Sequence, residues 1–137
     1  MSDKTCFIDT GAWFAITDKS DQYHDKAIKI FENLIKNYNY FTTSNYVISE
    51  TYTLIRKTIG HEEAIMFLNN IEASPRVTKI YSNSDLEETA EKILRKYSDQ
   101  DFSYVDAVSF SVMRHYEIDS AFAFDKHFKI AGFIVIP

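Results

Sequence analysis

Two hydrophobic rhythms alternate along the chain. Short apolar runs read as strands, and longer stretches with apolar positions every three or four residues read as helices. The first strand covers Thr5 to Ile8 and ends on Asp9; after a turn at Thr10-Gly11, a short helical piece is expected from Ala12 to Ile16. Asp21 is placed to cap a helix to about Tyr38, with Ala27, Ile30, Phe31 and Leu34 on one face. Tyr40 to Thr42 is a short second strand. Ser44 caps a helix to about Thr58, Gly60 fits its C-terminal end, and a helical pattern resumes from His61 to Ile71 until Ser74-Pro75 stops it. Val77 to Tyr81 is a third strand, and Ser84 or Asp85 caps a helix to Tyr97. A helix from Tyr104 to Tyr116, a strand from Ser120 to Phe124 and a last strand from Phe133 to Ile136 complete the chain. Strands alternating with helices throughout predict an α/β fold with a mostly parallel sheet.

The helix from Tyr104 departs from the amphipathic pattern of the others. Val105, Ala107, Val108, Phe110, Val112 and Met113 make it apolar almost all round, which places it in the interior. Asp106 sits near its start, and Asp125 directly follows the apolar run AFAF. An ionised acid in such surroundings needs a compensating partner. Either each aspartate caps a local turn, or the two share a cation.

Composition narrows the setting. A chain of 137 residues reads as one domain, residues 1–137, with 45% apolar residues to supply a core. Three Gly and two Pro leave little room for linkers, and connections should be short. The single cysteine, Cys6, allows no internal disulfide, so a reducing cytoplasm is the expected location. The N-terminus MSDKTCFID lacks a signal-peptide core, and no apolar run approaches the roughly 18 residues of a membrane span. A formal net charge of −5 excludes nucleic-acid binding by bulk charge alone. A nucleic-acid role would need a local site, where a bound divalent cation reverses the field.

In open α/β sheets ligands bind beyond the carboxyl ends of the strands. Asp9 and Asp125 each close an apolar strand run and point to that rim, although aspartate is also a preferred N-cap. Ser103-Tyr104-Val105-Asp106 resembles a capping box, which by itself accounts for Asp106. Local helix chemistry does not explain why Asp9, Asp106 and Asp125 all fall near one rim. Glu50 lies mid-helix on a face made apolar by Tyr46, Val47 and Leu54; it is either a solvated edge residue or a carboxylate directed into the same rim. Asp101, in a polar loop, is a candidate for a supporting acid. His24, His61, His115 and His127 show no metal-ligand spacing and read as surface or partly buried residues. Arg56, Lys57, Arg114 and Lys126 flank the acidic positions, either as solvated charge or as contacts to backbone phosphates.

The motifs IDTGAW, SNYVISET, DFSYVDAVSFSVM and AFAFDKHF followed by GF, in this order, resemble the PIN-domain family, most of all the VapC-type ribonuclease toxins of toxin–antitoxin pairs. The resemblance runs from about Phe7 to Gly132. It implies a three-layer α/β/α sandwich whose acidic pocket binds Mg²⁺ or Mn²⁺ and hydrolyses RNA. Asp9, Glu50, Asp106 and Asp125 match the family's four acids, and Thr10 and Ser103 match hydroxyl positions beside the metals. Gly11 stands where many members carry Ser or Thr. Carboxylates without a covalent nucleophile suit metal-assisted phosphodiester hydrolysis, and all-oxygen ligands favour Mg²⁺ or Mn²⁺ over Zn²⁺. On this reading Asp9, Glu50 and Asp106 are the primary ligands, and Asp125 completes a second cation position or holds a coordinated water. The resemblance also implies a homodimer that binds an antitoxin, for which Trp13 and Tyr46 are candidate contacts.

Two other classes compete. One is a non-catalytic PIN-like module that sequesters RNA or a protein; the presence of all four acids argues against it. The other is an acidic phosphoacceptor domain, which needs an acid ending the third strand, where this chain has Ile80-Tyr81.

Overall fold

The computed structural model describes residues 4–137. Five strands, β1 (Thr5–Ile8), β2 (Tyr40–Ser44), β3 (Val77–Ile80), β4 (Ser120–Phe122) and β5 (Ile134–Ile136), form one sheet in the order β3-β2-β1-β4-β5. Every pairing is parallel. The helices among the described residues are α1 (Thr10–Thr17), α2 (His24–Asn37), α3 (Asn45–Thr58), α4 (His61–Ala73), α5 (Ser84–Lys96), α6 (Tyr104–His115) and α7 (His127–Ile130). No helix among the described residues is long and apolar enough to cross a membrane.

The alternation of side chains along each strand sorts the helices into two layers. Phe41 of β2, in register with Cys6 of β1, meets Phe31 of α2 at a ring-centroid distance of 5.4 Å. Trp13 of α1 packs on the same side, edge-on to Phe31 and Phe67. Phe7 points to the opposite face and touches Phe128 of α7, which packs edge-on against Phe110 of α6 at 5.0 Å. The sheet is thus covered on both sides, and the expected α/β/α arrangement is present. Trp13 belongs to this internal core, with its indole N–H donating to Thr43 Oγ1 and 6% of its surface exposed.

Several boundaries differ from those expected, each for a local reason. Asp21 does not cap α2: its carboxylate accepts from the Tyr23 amide and forms a turn, and the helix starts at His24. The α5 cap is Asn83, whose side chain accepts from the Leu86 amide, so Ser84 and Asp85 are already helical. Gly60 closes α3 as expected, its amide donating to the Ile55 carbonyl at 3.1 Å, and it also opens α4, with φ of +147°, a conformation that favours glycine. β2 runs two residues beyond Thr42, because β3 continues to pair with it as far as Ser44. β4 stops at Phe122: the Ala123 amide still reaches the Ile136 carbonyl, but Phe124 and Asp125 leave the sheet. The four-residue α7 is too short to produce a periodic signal.

Candidate active site

The strand order changes direction beside β1. The first two crossovers carry the chain outward from β1 through β2 to β3, and the third returns it to β4 on the other side of β1. Such a switch point opens a crevice at the carboxyl ends of the two diverging strands. A cavity of about 1020 Å³ lies there, lined by Asp9, Glu50, Asp106 and Asp125 together with Thr10, Ser103, Lys57 and His127. Each acid comes from a different place: the end of β1, the middle of α3, the start of α6 and the segment after β4.

Asp9 occupies the N-cap position of α1, yet its carboxylate makes no capping hydrogen bond. Its backbone does the structural work, with its amide donating to the Phe122 carbonyl and its carbonyl accepting from the Trp13 amide. The side chain, in a residue only 5% exposed, is free to face the cavity. Burial pushes its pKa well above the usual carboxylate range; the charge of Asp125 adds to this, the Thr10 amide opposes it, and Asp106 and Glu50 add further. Next to it, Thr10 Oγ1 is buried without a hydrogen-bond partner. A buried hydroxyl left unpaired on the wall of an acidic cavity fits a site completed by a ligand.

Asp106 does cap its helix. Ser103 Oγ accepts from the Asp106 amide at 3.0 Å, and Asp106 Oδ2 accepts from the Ser103 amide at 3.0 Å, so the capping box is complete. The same Oδ2 lies 2.9 Å from His127 Nδ1. Oδ1 has no hydrogen bond among the described residues and remains available to the cavity. Capping therefore occupies only one of the two carboxylate oxygens.

Glu50 is exposed and makes no ion pair among the described residues. Asp125 Oδ1 accepts from the His127 amide at 2.9 Å. Its pKa is raised, by partial desolvation first and by the charge of Asp106, against the opposing pull of the His127 amide. Asp101 lies outside the cavity lining and reaches it through His127, whose Nε2 is 3.0 Å from Asp101 Oδ1.

His127 is the residue that sequence reasoning missed. Asp106, Asp125 and His127 each place a potential ligand atom within 4.8 Å of the others. Both ring nitrogens face carboxylate oxygens, which calls for two N–H donors and hence the imidazolium form. Partial burial lowers its pKa, but the Asp106 charge and the bonds to Asp101 and Asp106 outweigh it, and the net shift is upward. Asp101 is correspondingly held below the usual range, chiefly by its bond from His127. In this arrangement His127 braces Asp106 from behind, with no lone pair left for a metal. The signal available in the sequence was its position two residues after Asp125, at the end of a strand run.

The chemistry of the donor set is hard oxygen throughout: four carboxylates and a threonine hydroxyl, with the one cysteine buried in β1. Such a set fits Mg²⁺ or Mn²⁺.

Comparison with known proteins agrees with this geometry. The model of the PIN domain matches residues 6–134. The chain is 35% identical over 130 residues to the 23S rRNA-specific endonuclease VapC20 of Mycobacterium tuberculosis, covering 95% of this chain and 96% of that protein. The crystal structure of M. tuberculosis VapC20, described as a Sarcin-Ricin loop cleaving toxin, superposes with a TM-score of 0.87 over 94% of this chain and 96% of that one. VapBC2 of Rickettsia felis, solved bound to a DNA fragment from its promoter, gives a TM-score of 0.71 at 16% identity, covering 96% of this chain and 97% of that one. FitAcB of Neisseria gonorrhoeae gives 0.70 at 11%, covering 96% of each chain. The last two share the fold alone.

Proposed function

The chain belongs to the PIN-domain family, and from that premise we propose that it is a VapC-type endoribonuclease that hydrolyses RNA phosphodiester bonds with the aid of Mg²⁺ or Mn²⁺. The observation that carries this reading is the convergence of Asp9, Glu50, Asp106 and Asp125, from four separate elements, on one cavity beside an unpaired Thr10 hydroxyl. The relative that is 35% identical over nearly its whole length is a 23S rRNA-specific endonuclease, so ribosomal RNA is the first substrate to test.

Asp9, Glu50 and Asp106 would hold the cation, and Asp125 would close the site on the β4 side. When bound, such a cation lowers the pKa of a water molecule towards neutrality and offsets the charge that develops on the phosphate. The protein's own residues fix the geometry. The Ser103 amide and His127 grip Oδ2 of Asp106 and aim Oδ1 into the cavity. Asp101 holds the far side of the His127 ring. Lys57, on the α3 wall, supplies a cation for a substrate phosphate in an otherwise acidic cleft.

Purified protein incubated with ribosomes or total RNA should cut only when Mg²⁺ or Mn²⁺ is present, and Asp9→Asn should be inert. Metal-independent cutting, or full activity in Asp9→Asn, would overturn the assignment. As a toxin the chain would pair with an antitoxin protein and form a homodimer. Light scattering at tens of micromolar tests the dimer, and a monomer would remove that part of the reading.

A further inference from the structure

Beside the acidic centre stand two tyrosines that are not fully buried. Tyr46, at the start of α3, lines the cleft, and Tyr104, the first residue of α6, stacks on it with ring centroids 6.0 Å apart and planes 26° from parallel. Tyr104 is 37% exposed and, although not itself in the cleft lining, lies in the chain between Ser103 and Val105, which are. Both phenols are tethered to α5: Tyr46 donates to Glu87 Oε1 at 2.6 Å and Tyr104 to Glu91 Oε2 at 2.9 Å. The tethers fix the rings in place and keep the phenols neutral; the Tyr104 hydroxyl is pushed up to about 12 by its bond to Glu91.

A partly exposed, immobilised aromatic ring beside a phosphodiester-cleaving site has an obvious chemical partner. Unpaired RNA bases stack on aromatic side chains, and a ring already held rigid loses little entropy on receiving one. We propose that Tyr104, backed by Tyr46, is the platform on which an unpaired nucleobase adjacent to the scissile phosphate stacks. This inference rests on the ribonuclease reading and adds how the substrate is held. The platform selects single-stranded or looped RNA, because a paired base has no free face to offer. It binds the base and not the phosphate, which the nearby Glu87 and Glu91 would repel.

The test compares Tyr104→Phe, Tyr104→Leu and Tyr104→Ala on a short single-stranded RNA that the protein cleaves, and on the same RNA made abasic at each position flanking the cut. Tyr104→Phe keeps the π face but loses the tether to Glu91, so its KM should rise by less than that of Tyr104→Leu. Tyr104→Ala and Tyr104→Leu should raise KM by roughly 5- to 150-fold, the range equivalent to losing one stacked base, with kcat little changed. At one abasic position the parent and the two variants should become alike. Leucine keeps apolar bulk but no π face, so a parent-like KM in Tyr104→Leu overturns the proposal. A penalty for Tyr104→Ala that persists undiminished on both abasic RNAs does so too. In a second arm, a short single-stranded RNA carrying 2-aminopurine at each position in turn is added to Asp9→Asn protein with Mn²⁺. At one position its fluorescence should be quenched, and quenching should be lost in the Asp9→Asn, Tyr104→Leu double variant. If the protein cleaves no RNA, the ribonuclease reading fails while this arm still decides the platform: without Tyr104-dependent quenching the proposal falls.

Discussion

On the proposed reading Asp106 divides its two oxygens between structure and chemistry, and substitutions can separate the two. In Asp106→Asn the amide oxygen can still accept from Ser103 and His127, so the fold should lose about 1 kcal/mol or less. Cleavage should nevertheless fall by at least about 100-fold, the scale of losing one group that stabilises developing charge. Ser103→Ala should behave in the opposite way. It removes the cap on the Asp106 amide, costing about 0.5–2 kcal/mol in urea unfolding, while slowing cleavage only about 10-fold through looser positioning. Equal activity losses in the two variants would refute this division of labour. Asp9 gives a pH signature. Its pKa is about 3.9 in the unfolded chain and higher in the metal-free fold. It therefore contributes no penalty below about pH 4 and a growing one as pH rises towards its folded value. In EDTA, Asp9→Asn should match the parent's stability at the acid end and exceed it at neutral pH; an unchanged difference across the range would contradict the burial argument. The four acids could be named from sequence because each lay at a strand end or on an apolar helix face. His127 could not, because its partners Asp101 and Asp106 lie 26 and 21 residues away, and only folding shows that one ring spans both.

At the level of elements, strength of pattern decided what the sequence revealed. α6 buries every residue from Asp106 to Met113, as an all-round apolar helix must. The Ser44 cap of α3 was readable because the hydroxyl stands directly before the helical pattern. The α5 cap slipped to Asn83 because three capping-competent residues, Asn83, Ser84 and Asp85, are adjacent and only backbone geometry chooses among them. The end of β4 is set by its neighbours' ladders and not by its own apolar residues, so the run to Phe124 overstated the strand. Gly60 joins α3 to α4 in a positive-φ conformation, and a Cβ added there would meet no atom closer than Glu63 Oε2 at 3.5 Å. The cost of Gly60→Ala is thus backbone strain and not a clash. It should lower unfolding stability by about 1–3 kcal/mol, with the cleavage rate of the folded protein unchanged. A variant as stable as the parent would show that the α3–α4 joint relaxes without strain.

For the molecule as a whole, the cleft concentrates negative charge in a chain whose net charge is already −5, and the metal-free fold must hold it. Asp9 and Asp125 both have raised pKa values, with burial the first cause and neighbouring acids contributing. Like charges at one site oppose each other's ionisation, and a cation removes that opposition. A metal that binds only the folded chain stabilises it by mass action, by about 2.7 kcal/mol at 100 times the dissociation constant. For a domain of this size, where 1 kcal/mol moves the melting temperature by about 4 °C, saturating Mn²⁺ should raise Tm by about 10 °C relative to EDTA. The shift should be larger at pH 8 than at pH 5, because at the lower pH Asp9 and Asp125 retain more of their protons and the cation must displace them. Asp9→Asn should start from a higher Tm in EDTA and gain much less from Mn²⁺, so the two melting curves approach each other as metal is added. A parent midpoint that stays fixed at pH 8 in saturating Mn²⁺ would mean that the four carboxylates share a cavity without sharing a cation.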